Sequence, residues 1–474
     1  MRCALRGLLV GVFSLTMAVQ AMTVNTLSVE QYQQIKQSGL DKPQLTYNDI
    51  APVLKQHQQN PLFKFTQLGQ SALGTPIWQI DIGTGPIKLL AWSQMHGDES
   101  TATAALMDLL NFISAAEQKK WRDTWLNEVS LRLVPMVNPD GAAAHTRFNS
   151  MGIDINRDAK ALQTPEGQLL MQVAKDFKPD FGLNLHDQNR FYAVGDSNKQ
   201  TTISVLAPAF NDAKDIDAPR KKAMQLIGDM ADLMAQQLPG YLGKYDDTFS
   251  WRSFGDTFSG MGISTILIES GGHPADDNRQ VARRLNTQLL VMSIESIGSK
   301  AYQRQPLTAY QGIPFNRSDA IKDVLIKNLG ISVNGHSARV DLALELGINN
   351  SKPARIQDIG DLSIYSSYHQ FDASQLVYQT GKTYALTKKL KLDKTTYLQL
   401  LRDGYSHFSG DTKLIENQTD WPVVFSNKGL NSAYPMRYQQ ATFLLATAEG
   451  VEFALLNGQL LALTQARLLY ANGS

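Results

Sequence analysis

Between about residue 45 and residue 300, short apolar runs alternate with amphipathic stretches, and this alternation limits the folds that the chain can adopt. The clearest apolar runs are residues 87–92, 129–134, 181–185 and 264–268, and the clearest helical patterns are about 100–113 and 221–237. Strands that alternate with helices in this way are typical of βαβ units and a parallel sheet. We therefore predict an α/β fold with a doubly wound, mainly parallel sheet that carries helices on both faces.

The sequence changes character after about residue 305, where turn signals become frequent. Asn334-Gly335, Glu449-Gly450 and Asn457-Gly458 each lie between apolar or alternating runs. Asn-Gly favours the left-handed dihedrals of a two-residue hairpin turn. We predict that residues 22–304 form the α/β domain, and that residues 305–474 form a smaller β-rich domain whose role the sequence does not indicate.

The first 21 residues have the features of a cleavable signal peptide. Arg2 and Arg6 form a short positive region, residues 7–19 form an apolar stretch of 13 residues, and residues 18–21 offer small side chains for cleavage. A membrane-spanning helix needs about 20 apolar residues, so the stretch favours a signal peptide over an uncleaved anchor. We therefore expect an exported protein, periplasmic or secreted, without stable membrane insertion.

Charge and cysteine content argue against two classes of function. The 45 basic side chains nearly balance the 44 acidic ones, so the chain lacks the broad positive field that binds nucleic acid. The single cysteine, Cys3, lies inside the predicted signal peptide. The mature chain then has no thiol nucleophile, and nitrogen and oxygen atoms must hold any bound metal.

Four polar side chains follow the predicted strands. His96 and Glu99 lie three apart after the first apolar run, and His186 and Glu269 come directly after the third and the fourth. The carboxyl ends of the strands form the ligand-binding edge of a doubly wound sheet. A catalytic zinc ion, which takes three nitrogen or oxygen ligands and keeps one position open, fits this set.

Further polar motifs lie between these side chains. In chain order the sequence reads HGDE (96–99), NPDG (138–141), RFN (147–149), GIDINRD (152–158), LH (185–186) and ILIESGG (266–272). In this order and spacing the series resembles the carboxypeptidase A-type zinc metallopeptidase family, in a divergent, exported bacterial form. The resemblance covers roughly residues 85–275. It implies the zinc carboxypeptidase fold, one zinc ion per chain and a peptide substrate.

The resemblance also implies roles for the residues around the metal. His96, Glu99 and His186 correspond to the zinc ligands of the family. Glu269 corresponds to the general base, which takes a proton from water and later passes it to the leaving amine. Asp154 corresponds to a carboxylate that bonds the first zinc histidine from outside the ligand set.

A second group of matching residues concerns the substrate. Arg147 corresponds to the residue that polarises the scissile carbonyl, and Asn156 and Arg157 correspond to the pair that grips the terminal carboxylate. The family usually has a mobile tyrosine where this chain has Asp247. Tyr245 is the nearest replacement, with Tyr241 as a weaker candidate.

Two segments near the motifs are expected to affect substrate choice. Residues 251–256 correspond to the pocket that reads the substrate side chain, but they carry both charges and indicate no preference. Arg190 follows the third ligand closely enough to be a second candidate for binding a carboxylate.

Three functions fit these motifs. The first is a zinc metallocarboxypeptidase that hydrolyses a C-terminal or near-terminal amide of peptides, including cell-wall peptides. The second is a zinc-dependent acylamino-acid deacylase on the same fold, whose substrate also presents a carboxylate. The third is a catalytically inactive peptide-binding protein. Such a protein would be recognised by the loss of the base or of a ligand, and all of these residues are present. The sequence does not indicate the oligomeric state.

Overall fold

The computed structural model describes residues 27–274, 276, 278–347, 353–427, 430 and 432–470. The predicted signal peptide, residues 1–21, lies outside these ranges. No helix in the described part of the chain is long and apolar enough to cross a membrane.

Helices and strands alternate through the described residues up to residue 317. The helices of the described chain are α1 (Val29–Ile35), α2 (Tyr47–His57), α3 (Thr101–Ser114), α4 (Lys119–Asp123), α5 (Pro139–Ala144), α6 (Pro165–Phe177), α7 (Ala218–Gln237), α8 (Phe254–Gly260), α9 (Gln280–Ser299), α10 (Leu307–Gln311) and α11 (Lys394–Arg402). The strands up to residue 317 are β1 (Lys64–Gln70), β2 (Pro76–Ile82), β3 (Ile87–Ser93), β4 (Val129–Val134), β5 (Phe181–Asp187), β6 (Ala193–Val194), β7 (Ile203–Leu206), β8 (Leu242–Lys244), β9 (Ser264–Ser270) and β10 (Asn316–Arg317). The four predicted strands correspond to β3, β4, β5 and β9.

An eight-stranded sheet lies at the centre of this region, in the order β1-β2-β4-β3-β5-β9-β7-β8. The central ladders β4–β3, β3–β5 and β5–β9 are parallel, and so is the outer pair β7–β8. The pairs β1–β2, β2–β4 and β7–β9 are antiparallel. The predicted mainly parallel sheet is therefore confirmed, with antiparallel pairs on either side of its parallel centre.

Helices cover both faces of the sheet because both faces are apolar. Along β3, Leu89 and Ala91 pack into a core with α1, α2, α3, α7 and α9. Leu90 and Trp92 point to the opposite face and pack with α6 and α8. Side chains alternate between the faces of a strand, so a continuous apolar run in β3 produces two cores, as the doubly wound prediction requires.

Helix α7 begins three residues before the predicted start at 221, and its cap explains the difference. The side chain of Asp217 accepts a hydrogen bond from the amide of Arg220 at 2.8 Å. Pro219 lies in the first turn, where the missing N–H is not needed. A capped first turn adds residues that the apolar periodicity alone does not mark.

The second region forms a separate nine-stranded sheet. Its strands and the short strands beside it are β11 (Ile321–Val333), β12 (His336–Glu345), β13 (Arg355–Gly360), β14 (Ser366–Asp372), β15 (Val377–Gln379), β16 (Lys382–Ala385), β17 (Leu390–Leu392), β18 (Tyr405–Ser409), β19 (Ile415–Asn417), β20 (Phe443–Thr447), β21 (Gly450–Leu456), β22 (Gln459–Ala462) and β23 (Arg467–Tyr470). The sheet runs β13-β12-β11-β15-β20-β21-β22-β23, and β14 also pairs with β11. Strands dominate this part of the chain, as the turn signals predicted.

The predicted hairpin turns are present in this sheet. Asn457 and Gly458 have φ of 48° and 82° and connect β21 to β22. Asn334 and Gly335, with φ of 51° and 81°, connect β11 to β12. Positive φ at both central residues is what a type I′ turn requires, and Asn and Gly accept it at low cost.

The first core continues beyond residue 304. Tyr310 and Ile313 are buried in the cluster that contains α3, α7 and α9, and β10 pairs with β6 of the first region. The division of the chain at 304/305 remains a prediction. Residues 316–470 are called the β-rich region below.

A buried ion pair joins the N-terminal segment to the sheet helices. Arg283 on α9 and Asp108 on α3 are 1% and 0% exposed in their side chains and lie 2.7 Å apart. Asp108 also accepts hydrogen bonds from the hydroxyl of Tyr32 at 2.8 Å and the amide of Gln37 at 2.7 Å. Arg283 donates to the carbonyl oxygen of Leu40 at 3.2 Å. This pair therefore satisfies backbone groups of the segment between residues 37 and 40.

We predict that Asp108→Asn destabilises the fold strongly, because the buried Arg283 guanidinium then keeps only the exposed carboxylate of Asp41, 3.0 Å away, as a counter-charge. Breaking a buried pair from one side costs about 3–5 kcal/mol. The control is Asp123→Asn, which breaks the exposed Lys119–Asp123 pair and should cost less than about 1 kcal/mol. Urea unfolding monitored by circular dichroism measures both variants, and equal losses would contradict the prediction.

Candidate metal centre and active-site cleft

The loop between β3 and α3 carries the first two candidate ligands, and a close backbone contact holds it. A Cβ atom on Gly97 would lie 2.0 Å from the carbonyl carbon of Gly141, so position 97 has room only for glycine. Asn138 supports the same contact. Its side chain accepts from the amide of Gly141 at 2.9 Å and donates to the carbonyl oxygen of Met95 at 3.2 Å. The HGDE and NPDG motifs thus lie in two loops that pack against each other.

His96, Glu99 and His186 come together at the carboxyl ends of β3 and β5. The Nδ1 atom of His96 lies 2.7 Å from one carboxylate oxygen of Glu99, and the Nδ1 atom of His186 lies 2.7 Å from the other. The two Nδ1 atoms are 3.1 Å apart. One ligand atom from each residue falls within 4.8 Å of the others. The structure therefore brings the three predicted ligands together.

The chemistry of this donor set fits a zinc ion. Two ring nitrogens that face each other cannot both donate or both accept, but both can bind a cation. Two nitrogens and a carboxylate leave one tetrahedral position open, which is the pattern of catalytic zinc sites. Burial lowers the pKa of His186, which favours the neutral, metal-binding form of the ring. Burial also acts on His96, but Glu99 and Asp154 raise its pKa to about 9, so metal binding there releases a proton.

A second layer orients the first histidine. The Nε2 atom of His96 lies 3.2 Å from a carboxylate oxygen of Asp154. The other oxygen of Asp154 accepts from Nε of Arg147 at 3.0 Å. Hydrogen-bonded carboxylates of this kind hold a metal-binding ring in one orientation. Asp154 thus contacts the first histidine, as expected from the resemblance, and its role there remains a prediction.

Glu269 lies beside the ligands without joining them. In the β5–β9 ladder it is the register partner of His186, and it is 8% exposed. Burial and the negative charge of Glu99 raise the pKa of Glu269 well above its usual value. A carboxylate whose pKa is raised holds a proton more readily, which suits a group that takes and gives protons.

A cleft of about 420 Å³ opens onto these residues, and most of the predicted substrate residues line it. Arg147 and Arg157 contribute the positive charges, and Asn156 lies beside them. The side-chain oxygen of Asn156 accepts from the amide of Phe254 at 3.0 Å, which leaves the N–H donors of the side chain for a ligand. Arg157 is exposed.

The structure separates the two candidate tyrosines. Tyr245 lines the cleft, and its ring centre lies 6.0 Å from that of Tyr192. Tyr241 packs against His273, with 4.9 Å between ring centres, and does not line the cleft. Asp247 pairs with Lys214 at 2.6 Å. Of the two candidates, Tyr245 is therefore the one that the geometry favours.

Two sequence expectations about substrate residues need adjustment. Arg190 does not line the cleft, because its guanidinium pairs with Asp323 of the β-rich region. In the segment 251–256, Ser253, Gly255 and Asp256 line the cleft, whereas the Trp251 side chain is 58% exposed. The predicted pocket segment therefore contributes in part.

Residues at the floor of the cleft were missing from the sequence prediction. Asn184 and Leu267 line the cleft, and each lies two residues before a functional residue, on the same face of its strand as His186 and Glu269. The side-chain oxygen of Asn184 is buried, with no partner among the described residues. The two-residue period of a strand is the signal that could have identified both.

Comparison with known proteins agrees with this geometry. The zinc carboxypeptidase family model matches residues 53–205. The chain is 26% identical to carboxypeptidase SOL1 of Arabidopsis thaliana over 166 residues, which are 31% of this chain and 34% of that protein. It is 34% identical over 87 residues to gamma-D-glutamyl-L-diamino acid endopeptidase 1 of Lysinibacillus sphaericus, covering 17% of this chain and 22% of that one. The chain thus spans about a third or less of the length of these relatives.

A solved structure is similar at lower identity. A metallo-carboxypeptidase from Burkholderia cenocepacia aligns with 55% of this chain and 71% of its own, at 14% identity and a TM-score of 0.44.

We predict that the purified protein holds about one zinc ion per chain, and that His186→Ala loses most of it, because two remaining ligands are too few for a stable site. His336→Ala is the control, since His336 is exposed on β12 and should leave the zinc content unchanged. Metal analysis after dialysis measures both. Full zinc content in both His96→Ala and His186→Ala would remove the assignment.

Proposed function

We propose that this chain is a zinc-dependent metallocarboxypeptidase. The support is the match of the zinc carboxypeptidase family model over residues 53–205, which agrees with the predicted resemblance. The proposed reaction is hydrolysis of a C-terminal or near-terminal amide bond of a peptide. The observation that carries the proposal is the set His96, Glu99 and His186 with Glu269 beside it in one cleft. The same residues argue against an inactive binding protein.

Glu269 is the proton-transfer group in this proposal. A zinc ion held by the three ligands supplies Lewis acidity, which polarises a carbonyl group and makes water more acidic. Glu269 takes a proton from the attacking water and gives it to the leaving amine, so its charge is restored after each turnover. Its position beside His186, outside the ligand set, supports this role.

Arginine side chains recognise the carbonyl and carboxylate groups of the substrate. Arg147, anchored by Asp154, donates towards the carbonyl oxygen as negative charge develops there. Arg157 binds the free carboxylate, because its planar guanidinium can donate to both oxygens. Asn156 and Tyr245 add neutral donors at the same cleft.

A cell-wall peptide is the more specific substrate that we propose. The support is the local similarity to an endopeptidase whose name specifies a γ-D-glutamyl–diamino acid bond. The predicted signal peptide would bring the enzyme to such a substrate. The acylamino-acid deacylase remains the alternative, since its substrate also presents a carboxylate to Arg157.

We predict that Glu269→Gln lowers the turnover rate at least about 100-fold, the range for loss of a general base. The amide keeps the shape of the side chain but cannot accept the proton. Zinc content should stay as in the wild type, because Glu269 is not a ligand. Peptide hydrolysis and metal analysis on the same sample measure both properties.

The matched control is Glu117→Gln, an exposed glutamate remote from the cleft, which should hydrolyse peptides at the wild-type rate. A Glu269→Gln enzyme that also works at the wild-type rate would exclude the proposed mechanism.

We predict that Arg157→Ala raises KM about 10- to 100-fold for substrates with a free carboxylate, since a hydrogen bond to a charged group contributes about 1.5–3 kcal/mol. C-terminally amidated peptides should be poor substrates of the wild type and should lose little more in the variant. Mass spectrometry of products from ordinary peptides, a γ-D-glutamyl–diamino acid peptide and acylated amino acids identifies the bond that is cut. Equal rates on free and amidated peptides would contradict terminal recognition.

A further inference from the structure

The segment that follows the third metal ligand forms one side of the cleft. Residues 188–194, called the cleft wall below, continue from β5, and Gln188, Asn189 and Tyr192 line the cleft. Tyr192 is also the residue whose ring lies next to Tyr245. The position of this wall therefore affects the space that a substrate can occupy.

The β-rich region holds the middle of the cleft wall through a charge pair. The guanidinium of Arg190 pairs with the carboxylate of Asp323 on β11, which is 2% exposed. The second oxygen of Asp323 accepts from the amide of Leu346 at 2.7 Å, so the carboxylate is fixed within its own sheet. A buried carboxylate left without its partner is strongly destabilising, and this favours keeping Arg190 in place.

Tyr368 on β14 contacts the wall and the loop after β9 together. Its hydroxyl donates to the backbone oxygen of Arg190 at 2.8 Å, and the Arg190 guanidinium lies 5.1 Å from the ring centre. A Cβ atom on Gly272 would lie 2.0 Å from the same hydroxyl oxygen. Gly272 comes three residues after Glu269, so the absence of a side chain there lets Tyr368 lie against both loops.

The two ends of the cleft wall are held from the same side. The side-chain amide of Asn316 on β10 donates to the side-chain oxygen of Gln188 at 2.8 Å. At the other end, β10 pairs with β6, with Asn316 opposite Val194 and Arg317 opposite Ala193. Residues 316–368 thus contact the wall at its beginning, middle and end.

The metal ligands depend less on these contacts. His186 lies within β5 and pairs in register with β9. The side chain of the next residue, Asp187, accepts from the hydroxyl of Thr101 on α3 at 2.7 Å. These contacts all lie within the first region, so a shift of the cleft wall leaves the donor set in place.

From these contacts we propose that Arg190 and Tyr368 are positioning residues, through which the β-rich region sets the substrate-binding shape of the cleft without contributing to metal binding. The kinetic part of this proposal rests on the proposed peptidase function. Its structural part, that residues 316–368 order the cleft wall, stands independently of it.

The test compares three variants of the full chain with a control. Tyr368→Phe removes one hydroxyl and keeps the ring, Arg190→Met removes the guanidinium, and Arg190→Lys restores a positive charge opposite Asp323. Tyr365→Phe is the control, because Lys322 lies over the Tyr365 ring and, in the described part of the chain, no hydrogen bond or ring contact joins Tyr365 to the cleft wall.

We expect Tyr368→Phe and Arg190→Met to raise KM about 10-fold, while kcat stays within about 3-fold and zinc content is unchanged. Arg190→Lys should bring KM back to within about 3-fold of the wild type, and Tyr365→Phe should behave as the wild type. Wild-type KM in a folded Arg190→Met, or in Tyr368→Phe if Arg190→Met fails to fold, would overturn the proposal. A loss of zinc and a fall in kcat that accompany the rise in KM would also overturn the proposal, because these changes together indicate a general structural role.

Hydrogen exchange gives a second measurement that does not need a substrate. Amides of the cleft wall should exchange about 10-fold faster in Tyr368→Phe than in the wild type, while β3 and β4 keep their protection. If the wild type cleaves no peptide, the proposed function fails, and this exchange result still decides the proposal. Unchanged exchange in the wall would overturn it.

Discussion

Backbone hydrogen bonds between β5 and its two parallel neighbours, β3 and β9, determine where the functional side chains meet. Because the three strands run in the same direction, their carboxyl ends lie at one edge of the sheet. The register of β5 with β9 then places His186 directly beside Glu269. A slip of one residue in this ladder would turn every side chain of the strand to the opposite face. The separation of ligand and base therefore depends on sheet register as much as on the identity of the two residues.

The loop that follows β3 shows how backbone packing supports the same edge. His96 and Glu99 can face His186 only if the loop lies flat against the segment that begins α5, and Gly97 permits that contact because a Cβ atom there would meet the backbone of Gly141. The side-chain amide of Asn138 then forms hydrogen bonds to both of the segments that meet there. The NPDG motif contributes no group to the cleft. The motif positions the loop that carries the ligands. A motif comparison alone does not distinguish this role from contributing a catalytic or binding group.

Local patterns in the sequence were sufficient for the four strands at the centre of the first sheet, for the hairpin turns and for the three candidate ligands. Apolar runs identify β3, β5 and β9, and the rule that ligands bind at strand ends then points to His96, His186 and Glu269. Long-range pairings left no such pattern: nothing in residues 203–206 indicates that β7 runs antiparallel beside β9. Arg190 illustrates the same limit, since its partner Asp323 lies 133 residues away. Contacts of this kind depend on how the two regions pack, which short-range periodicity does not encode.

The charges of the cleft are arranged by depth, and this order suggests how a substrate is oriented. The carboxylates of Glu99 and Glu269 are largely buried, whereas Arg157 is exposed at the cleft. Under the proposed function, Arg157 attracts a free substrate carboxylate to the exposed part of the cleft, because opposite charges in a poorly solvated site interact strongly. A zinc ion at the donor set would carry one positive charge more than Glu99 neutralises, and an ionised Glu269 would offset that charge. The inner part of the cleft would then be close to neutral and suited to the amide, while the carboxylate end stays with the arginine. The exposed position of Arg157 thus favours one binding direction, before any side-chain pocket is considered.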